Sequence, residues 1–448
     1  MDQVVQVEHA EQLAVALAAH GVQLVAFTWV DNAGVTRVKA VPVGELAHAA
    51  RWGVGMSPVF DVFLVDDSIG SGRFAGGPVG DLRLYPDLRR LTALAAQPGW
   101  AWAPADRYDQ DGRPHPQDSR LAVWRQADRL ASQGFTVRAA FEVEWCVSST
   151  VDGEFVPACQ GPAYGMTRLV ELSDYLREVL DALAAQRVPV EQIHPEYAAG
   201  QYEVSVAAED PVGAADTAVL VRETIRAVSA RHGLRATFAP KVLADGVGNG
   251  GHVHLSLWRD GVNMMTGGDG VYGLTGAGTA FAGGILSRLP ALLAIGAPSV
   301  ASYLRLVPSH WAGAYQVWGR ENREAALRFV PGTAGNRDTA ANLEVKSFDA
   351  AANPYLAMAA LLAAGAAGLA SSEVLPDPVE VDPASLDGAV RLPATLAEAV
   401  AALVAEPALT GALGEELIDT VATVRRHEIA LFDGAEPAEI AARTRWRY

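Results

Sequence analysis

The sequence predicts an α+β protein of two unequal parts, a small strand-rich N-terminal unit and a large C-terminal one. Three observations carry that expectation. The chain has 448 residues, half of them hydrophobic, enough to bury two cores. Residues 98–119, PGWAWAPADRYDQDGRPHPQDS, are dense in Pro, Asp and Gly and read as a connection, which divides the chain into 1–111 and 112–448. On the C-terminal side helix-period and strand-period stretches alternate irregularly.

Near the N-terminus, Glu11 to His20 reads as a short helix ending at Gly21. Gln23 to Val30 reads as a strand that turns at Asp31-Asn32-Ala33-Gly34. Past the connection, Ser119 is placed as the cap of a helix reaching Ser132 and stopped by Gly134, and Phe135 to Val147 reads as one strand. No internal repeat is evident, and the Ala/Gly-rich C-terminal third is expected to form closely packed helices.

A formal net charge of -17 argues against non-specific nucleic-acid binding, which needs clustered cations, and favours small-molecule partners. The two cysteines, Cys146 and Cys159, form neither a disulfide framework nor a zinc spacing, which fits a reducing cytoplasm. The opening MDQVVQVEHAEQLA lacks a basic region followed by an apolar run. The apolar stretch around Tyr355 to Leu369 is expected to be too short and too Gly/Ala-rich to span a bilayer.

Five segments carry candidate chemistry. In Phe141-Glu142-Val143-Glu144-Trp145 the period of two puts both carboxylates on one strand face, where they repel each other unless a cation lies between them. Glu196 and Glu203 are seven apart in HPEYAAGQYEV, so Ala198 to Gly200 must turn the chain if the acids are to converge. Gly246 to Gly251 form a glycine-rich loop entering a strand on which His252, His254 and Ser256 share a face. Glu344 and Lys346 share another strand face, ahead of Asn353-Pro354, an N-cap and first helical position for a helix toward Gly365. Finally, Arg305, Arg320, Arg323 and Arg328 offer guanidinium groups suited to carboxylate and phosphate. Taken singly, each segment also fits a solvated acidic face, a flexible hairpin or surface charge.

Taken together, FEVEW, PEYAAGQYEV, GGHVHLSL, RLVP, GRENREAALR and LEVKSFDAAANPYLAMAALLAAG resemble the glutamine synthetase family in order and approximate spacing over nearly the whole chain. The resemblance implies a small β-grasp-like N-terminal domain and a large catalytic domain with a curved antiparallel sheet. It implies two divalent ions, Mg²⁺ or Mn²⁺, one held by Glu144, Glu196 and Glu203 and the other by Glu142, His252 and Glu344. It places His254 and Ser256 against ATP, Arg323 and Arg328 on its phosphates, and Gly248, Arg305 and Lys346 around glutamate. Family members join the γ-carboxylate of glutamate to a nitrogen nucleophile through an acyl phosphate. They form rings with active sites between neighbouring subunits, commonly a dodecamer of two hexamers.

Two departures bear on the nucleophile. Ammonia-using members carry a flap glutamate six residues after the RLVP arginine, where this chain has Trp311. Their Phe-Asp-Gly-Ser-Ser ammonium segment is replaced by FDVFLVDDSIGSG, with Asp67 as positional counterpart and Asp61 and Asp66 as alternatives. Lys346 also stands where the family commonly has arginine. The expectation is an organic amine such as ethanolamine, a polyamine or another monoamine, with an ordinary ammonia-using enzyme or a non-catalytic relative as the other readings.

Overall fold

The computed structural model describes residues 3–74, 76–150 and 153–448. Helix α1 (Gln3–Ala19) begins well before Glu11 and stops one residue short of His20. Strands β1 (Leu24–Val30) and β2 (Thr36–Pro42) make an antiparallel hairpin through the expected turn, with Gly34 at φ +85°. Helix α2 (Leu46–Trp52), β3 (Val54–Met56), β4 (Leu82–Pro86), β5 (Thr92–Ala93) and β6 (Trp100–Tyr108) complete a sheet of order β2-β1-β6-β4-β3, with β5 against β6. β1 and β6 run parallel at its centre, and Val25, Phe27 and Trp29 sit in its core.

Of residues 98–119, expected to be a connection, Trp100 to Tyr108 instead form the central strand β6, and only 109–118 link it to α3 (Ser119–Ala131). Its cap is Asp118 rather than Ser119: the carboxylate accepts the Leu121 N–H at 2.7 Å while also binding buried Arg107. The expected single strand from Phe135 to Val147 is two, β7 (Thr136–Phe141) and β8 (Val143–Ser148), interrupted at Glu142. The alternating pattern continues through the break, but the pairing partners change. β8 joins β9 (Val190–Pro195), β10 (Gln201–Val206) and β11 (Arg235–Thr237) in a sheet of order β11-β8-β10-β9. β7 pairs instead with β12 (Val253–Arg259), whose sheet continues through β13 (Val262–Asn263), β14 (Tyr315–Arg320), β15 (Ala325–Val330) and β16 (Asn342–Val345) in the order β13-β12-β16-β15-β14. The chain therefore passes from one sheet to the other at Glu142, whose N–H donates to the His252 carbonyl at 2.9 Å.

The C-terminal pairs are antiparallel except β14 with β15, which are parallel. Parallel neighbours normally need a crossover of a dozen or more residues. Here residues 321–324 alone run back along the sheet, with Glu321 in the left-handed region at φ 53°.

Behind the sheets lie α6 (Pro211–Arg231), α7 (Gly276–Gly296) and α10 (Pro354–Ser371). α7 and α10 pack as closely as their glycines suggest: a Cβ on Gly368 would meet the Ala280 carbonyl oxygen at 2.1 Å. Contrary to expectation, α10 is long and apolar enough to cross a membrane on those two counts, as is α7. The reason for the apolarity is packing, since 78% of each is buried inside the protein.

Asn353 fixes the start of α10 and the seat of the N-terminal unit together. Its Oδ1 accepts the N–H groups of Tyr355 and Leu356 at 3.0 and 3.1 Å, and its Nδ2 donates to the carbonyls of Val30 and Asp31 and to Ser119 Oγ at 3.0, 3.3 and 3.1 Å. Beside it a Cβ on Gly34 would meet the Ala351 carbonyl oxygen at 1.9 Å, so the β1–β2 turn lies directly on the catalytic unit. Asn353→Ala removes a cap and leaves buried carbonyls unpaired. It should lower the unfolding free energy by about 3 kcal/mol in denaturant titration, and a loss under about 1 kcal/mol would refute this role.

Candidate active site

The register of the two sheets produces two rows of ionisable side chains. Across β8, β10 and β9, Glu144 stands opposite Glu203 and Glu203 opposite His194. Across β12, β16 and β15, His254 stands opposite Glu344 and Glu344 opposite Arg328. Directly opposed residues project from the same sheet face, so each row is a continuous ridge. Glu142, at the crossing between sheets, and His252, just ahead of β12, join the ridges in one cavity of about 1450 Å³.

Within it, Glu142, His252 and Glu344 offer ligand atoms all within 4.8 Å of one another, as do Glu142, Glu144 and Glu203, and His194, Glu196 and Glu203. His252 Nδ1 lies 2.7 Å from Glu142 and 3.3 Å from Glu344. Glu344 also meets Lys346 Nζ at 3.1 Å and Arg328 Nη1 at 2.9 Å. His194 is 3.1 Å from Glu203 and 3.6 Å from Glu196.

Electrostatically the halves differ. Burial works to raise Glu344, but Lys346, His252 and His254 outweigh it and hold the carboxyl down to about 2. Burial of Glu142 is likewise overcome by hydrogen bonds from His252 and His254, which leave it well below the ordinary range. On the other ridge burial prevails: with Glu142 and Glu144 adding to it against the pull of His194, Glu203 is pushed up to about 7. Glu196 is raised by burial and by Glu144.

The glycine loop is shaped by close approach. A Cβ on Gly250 would meet His252 Nε2 at 2.5 Å and Glu144 Oε1 at 2.7 Å, and one on Gly248 would meet Arg305 Cγ at 2.6 Å. The Gly250 N–H donates to Glu144 at 2.9 Å, and Gln201 Nε2 ties Glu144 to the Gly248 carbonyl, 3.0 Å to each. Arg305 is buried, with Nη2 3.2 Å from His252 Nε2 and 3.0 Å from the Lys346 carbonyl, and Nη1 has no partner among the described residues.

Arg320 lies elsewhere, over the Tyr272 ring beside Glu380, but the metal, ATP and glutamate residues expected from the sequence all line this cavity, Arg323 and Ser256 among them, as does Trp311. Arg323 is exposed there, whereas Arg328 is engaged by Glu344 and Glu321. Asp67 lies outside, pairing with Arg37 at 2.8 Å and Arg447 at 3.1 Å. Asp61 is buried with Arg107 and His115 and Asp66 is half-buried, which leaves Asp67 as the exposed acid of that segment. Sequence reasoning did not single out His194, Gln201, Tyr164, Tyr197 or Lys241. His194 was within reach, because folding HPEYAAGQYEV about Ala198–Gly200 sets it opposite Glu203. Tyr164, on a separate loop, had no such signal.

Carboxylates on adjacent strands, guanidinium groups beside them and a cavity large enough for a nucleotide suit an enzyme that handles phosphate with divalent cations. Residues 2–114 match the glutamine synthetase N-terminal domain and 116–442 the glutamine synthetase catalytic domain, so the chain belongs to the glutamine synthetase family. It is 58% identical over 453 residues to gamma-glutamylpolyamine synthetase GlnA3 of Streptomyces coelicolor, covering 99% of this chain and 97% of that one. To glutamine synthetase of Halobacterium salinarum it is 30% identical, over 92% of this chain and 91% of that one. A crystal structure titled as a novel glutamine synthase homolog superimposes with a TM-score of 0.86 at 34% identity, covering 95% of this chain and 99% of the other. The chain is accordingly a carbon–nitrogen ligase that couples ATP to glutamate–amine ligation.

The donor set fits hard divalent ions, since a ridge that leaves Glu203 near neutrality lacks positive charge. A metal takes only the ionised carboxylate, so below about pH 7 protons compete at Glu203. Calorimetric titration with Mn²⁺ should show affinity falling by up to about tenfold per unit as the pH drops from about 7 to 6. A flat profile would remove Glu203 from the ligand set.

Proposed function

We propose that this chain joins the γ-carboxylate of glutamate to a small organic amine, through γ-glutamyl phosphate, in preference to ammonia. Trp311 is the observation that carries the reading. It lines the cavity with 57% of its surface exposed, at the place where the resemblance expects a proton-accepting glutamate. An indole cannot accept a proton, but it can cover an alkyl chain or lie under a cation, a contact worth about 0.5–2 kcal/mol. Tyr164 and Tyr197, 50% and 58% exposed, line the same cavity, so three large aromatic surfaces remain uncovered there. The similarity to a polyamine-using relative supports the same direction.

Attack of a carboxylate on the terminal phosphate of ATP brings anions together, and the residues divide that problem. Glu144, Glu196 and Glu203, and Glu142, His252 and Glu344, would hold the two ions, Mg²⁺ or Mn²⁺, whose chemistry is to neutralise phosphate charge. Arg323, exposed in the cavity, is free to turn onto the phosphates. The unpartnered Nη1 of Arg305 suits the carboxylate of glutamate, with Gly248 keeping that approach open and Lys346 adding charge behind it. His254 and Ser256 lie along β12 on the ATP side. The amine then displaces phosphate from the acyl phosphate.

The same reading gives the protein a double-ring dodecamer in the cytoplasm, with the Asp67 segment of one chain meeting the Trp311 flap of a neighbour. Initial rates of phosphate release with glutamate and ATP, across ammonia, ethanolamine, monoamines and polyamines, test it. An organic amine should give the highest kcat/KM, and Trp311→Glu should lower that value at least about tenfold while ammonia turnover holds or rises. Fastest turnover with ammonia would establish the ordinary glutamine synthetase reading instead. No metal-dependent turnover with any amine would establish the non-catalytic one.

A further inference from the structure

The flap that carries Trp311 has an unusual backbone. Ser309, Trp311 and Gly313 have φ of 57°, 57° and 68°, and only the last is a glycine. A non-glycine residue in the left-handed region costs about 1 kcal/mol or more, so the conformation persists only if something outside the loop fixes it. Two contacts do so. Ser309 Oγ donates to Asp382 Oδ2 at 3.0 Å, and the Trp311 N–H donates to Glu324 Oε1 at 2.6 Å.

Glu324 is the more informative of the two. It closes the return segment 321–324, one residue after Arg323, and its own N–H is held by Asn322 Oδ1 at 3.0 Å. Its residue surface is only 7% exposed, yet its second carboxylate oxygen, Oε2, has no hydrogen-bond partner among the described residues. A buried carboxylate oxygen without a donor is costly. Glu324 does not itself line the cavity, but Arg323 before it and Trp311 bonded to it both do, so the oxygen lies one side chain behind the cavity wall. His310 and Lys346, both lining the cavity, are near enough for their charges to act on Glu324. Burial, and the charge of Asp382, raise its pKa in the absence of a cation.

We infer that Glu324 positions the amine-facing flap through one oxygen and receives the ammonium form of the incoming amine on the other, taking up the proton that the nitrogen must lose before it attacks the acyl phosphate. The negative charge absent from position 311 is thus supplied from behind the indole, by the return segment that also carries Arg323. This rests on the proposed use of an organic amine, which Trp311 would cover while Glu324 holds its charge.

The test compares a protonated amine with hydroxylamine, a weak base that is uncharged near neutral pH, at saturating glutamate and ATP. Glu324→Gln can still accept the Trp311 N–H but has no charge. It should raise the KM for the protonated amine about tenfold or more, move the KM for hydroxylamine less than about threefold, and leave those for glutamate and ATP within about twofold. Glu324→Asp, which keeps the charge, should restore the difference between the two nucleophiles. An equal rise for both nucleophiles, or a change confined to thermal stability or to the KM for glutamate, would overturn the inference. If the amine panel shows ammonia to be preferred, the organic-amine reading fails alone, because ammonium is itself a cation and the comparison with hydroxylamine still decides the role of Glu324.

Discussion

Like charges on neighbouring strands set the terms of this structure. Glu144 and Glu203 face each other across β8 and β10, a pairing that a sheet ordinarily avoids, and Glu142 lies close enough to share a coordination site with both. On the other ridge the molecule answers with its own cations, Lys346, Arg328 and the imidazoles, and Glu344 and Glu142 stay ionised. On this ridge His194 alone helps, and Glu203 remains near neutrality. One half of the centre is thus assembled before ligands arrive, while the other is completed by what it binds.

Holding such a centre rigid needs support from outside it. α7 and α10 approach so closely that glycines are required between them, and the capped start of α10 is where the N-terminal hairpin docks. Arg425 adds to this joint, donating from Nε to the Ala294 carbonyl at 2.9 Å and from Nη1 to the Asn32 carbonyl at 2.7 Å. The apolar character that makes these helices resemble membrane spans is therefore explained by the density with which they pack.

Much of the site was legible in the sequence because its residues obey local rules. The turn at Ala198–Gly200, the cap at Asn353 and the shared face of His252, His254 and Ser256 follow from spacing and side-chain chemistry alone. What escaped was non-local. The pattern through Glu142 and Glu144 is that of one strand, and only the different partners of β7 and β8 divide it. The Asp118 cap competes with Ser119 for the same role and wins because Arg107 fixes its carboxylate. Tyr164 reaches the cavity from a loop whose sequence has no periodicity to read, and nothing in the order of residues sets Glu324 apart, because its unpaired buried oxygen exists only in the fold.

The short return between β14 and β15 acts as a ruler. Within its four residues the Glu324 N–H donates to Asn322 Oδ1 at 3.0 Å, and the Ala325 N–H closes on the Asn322 carbonyl at 3.2 Å, so the return is a turn of set length with no loose residue. A one-residue change in length would break that turn and move Arg323 and Glu324 out of their settings together. The turn therefore accommodates a substitution more readily than an added or deleted residue.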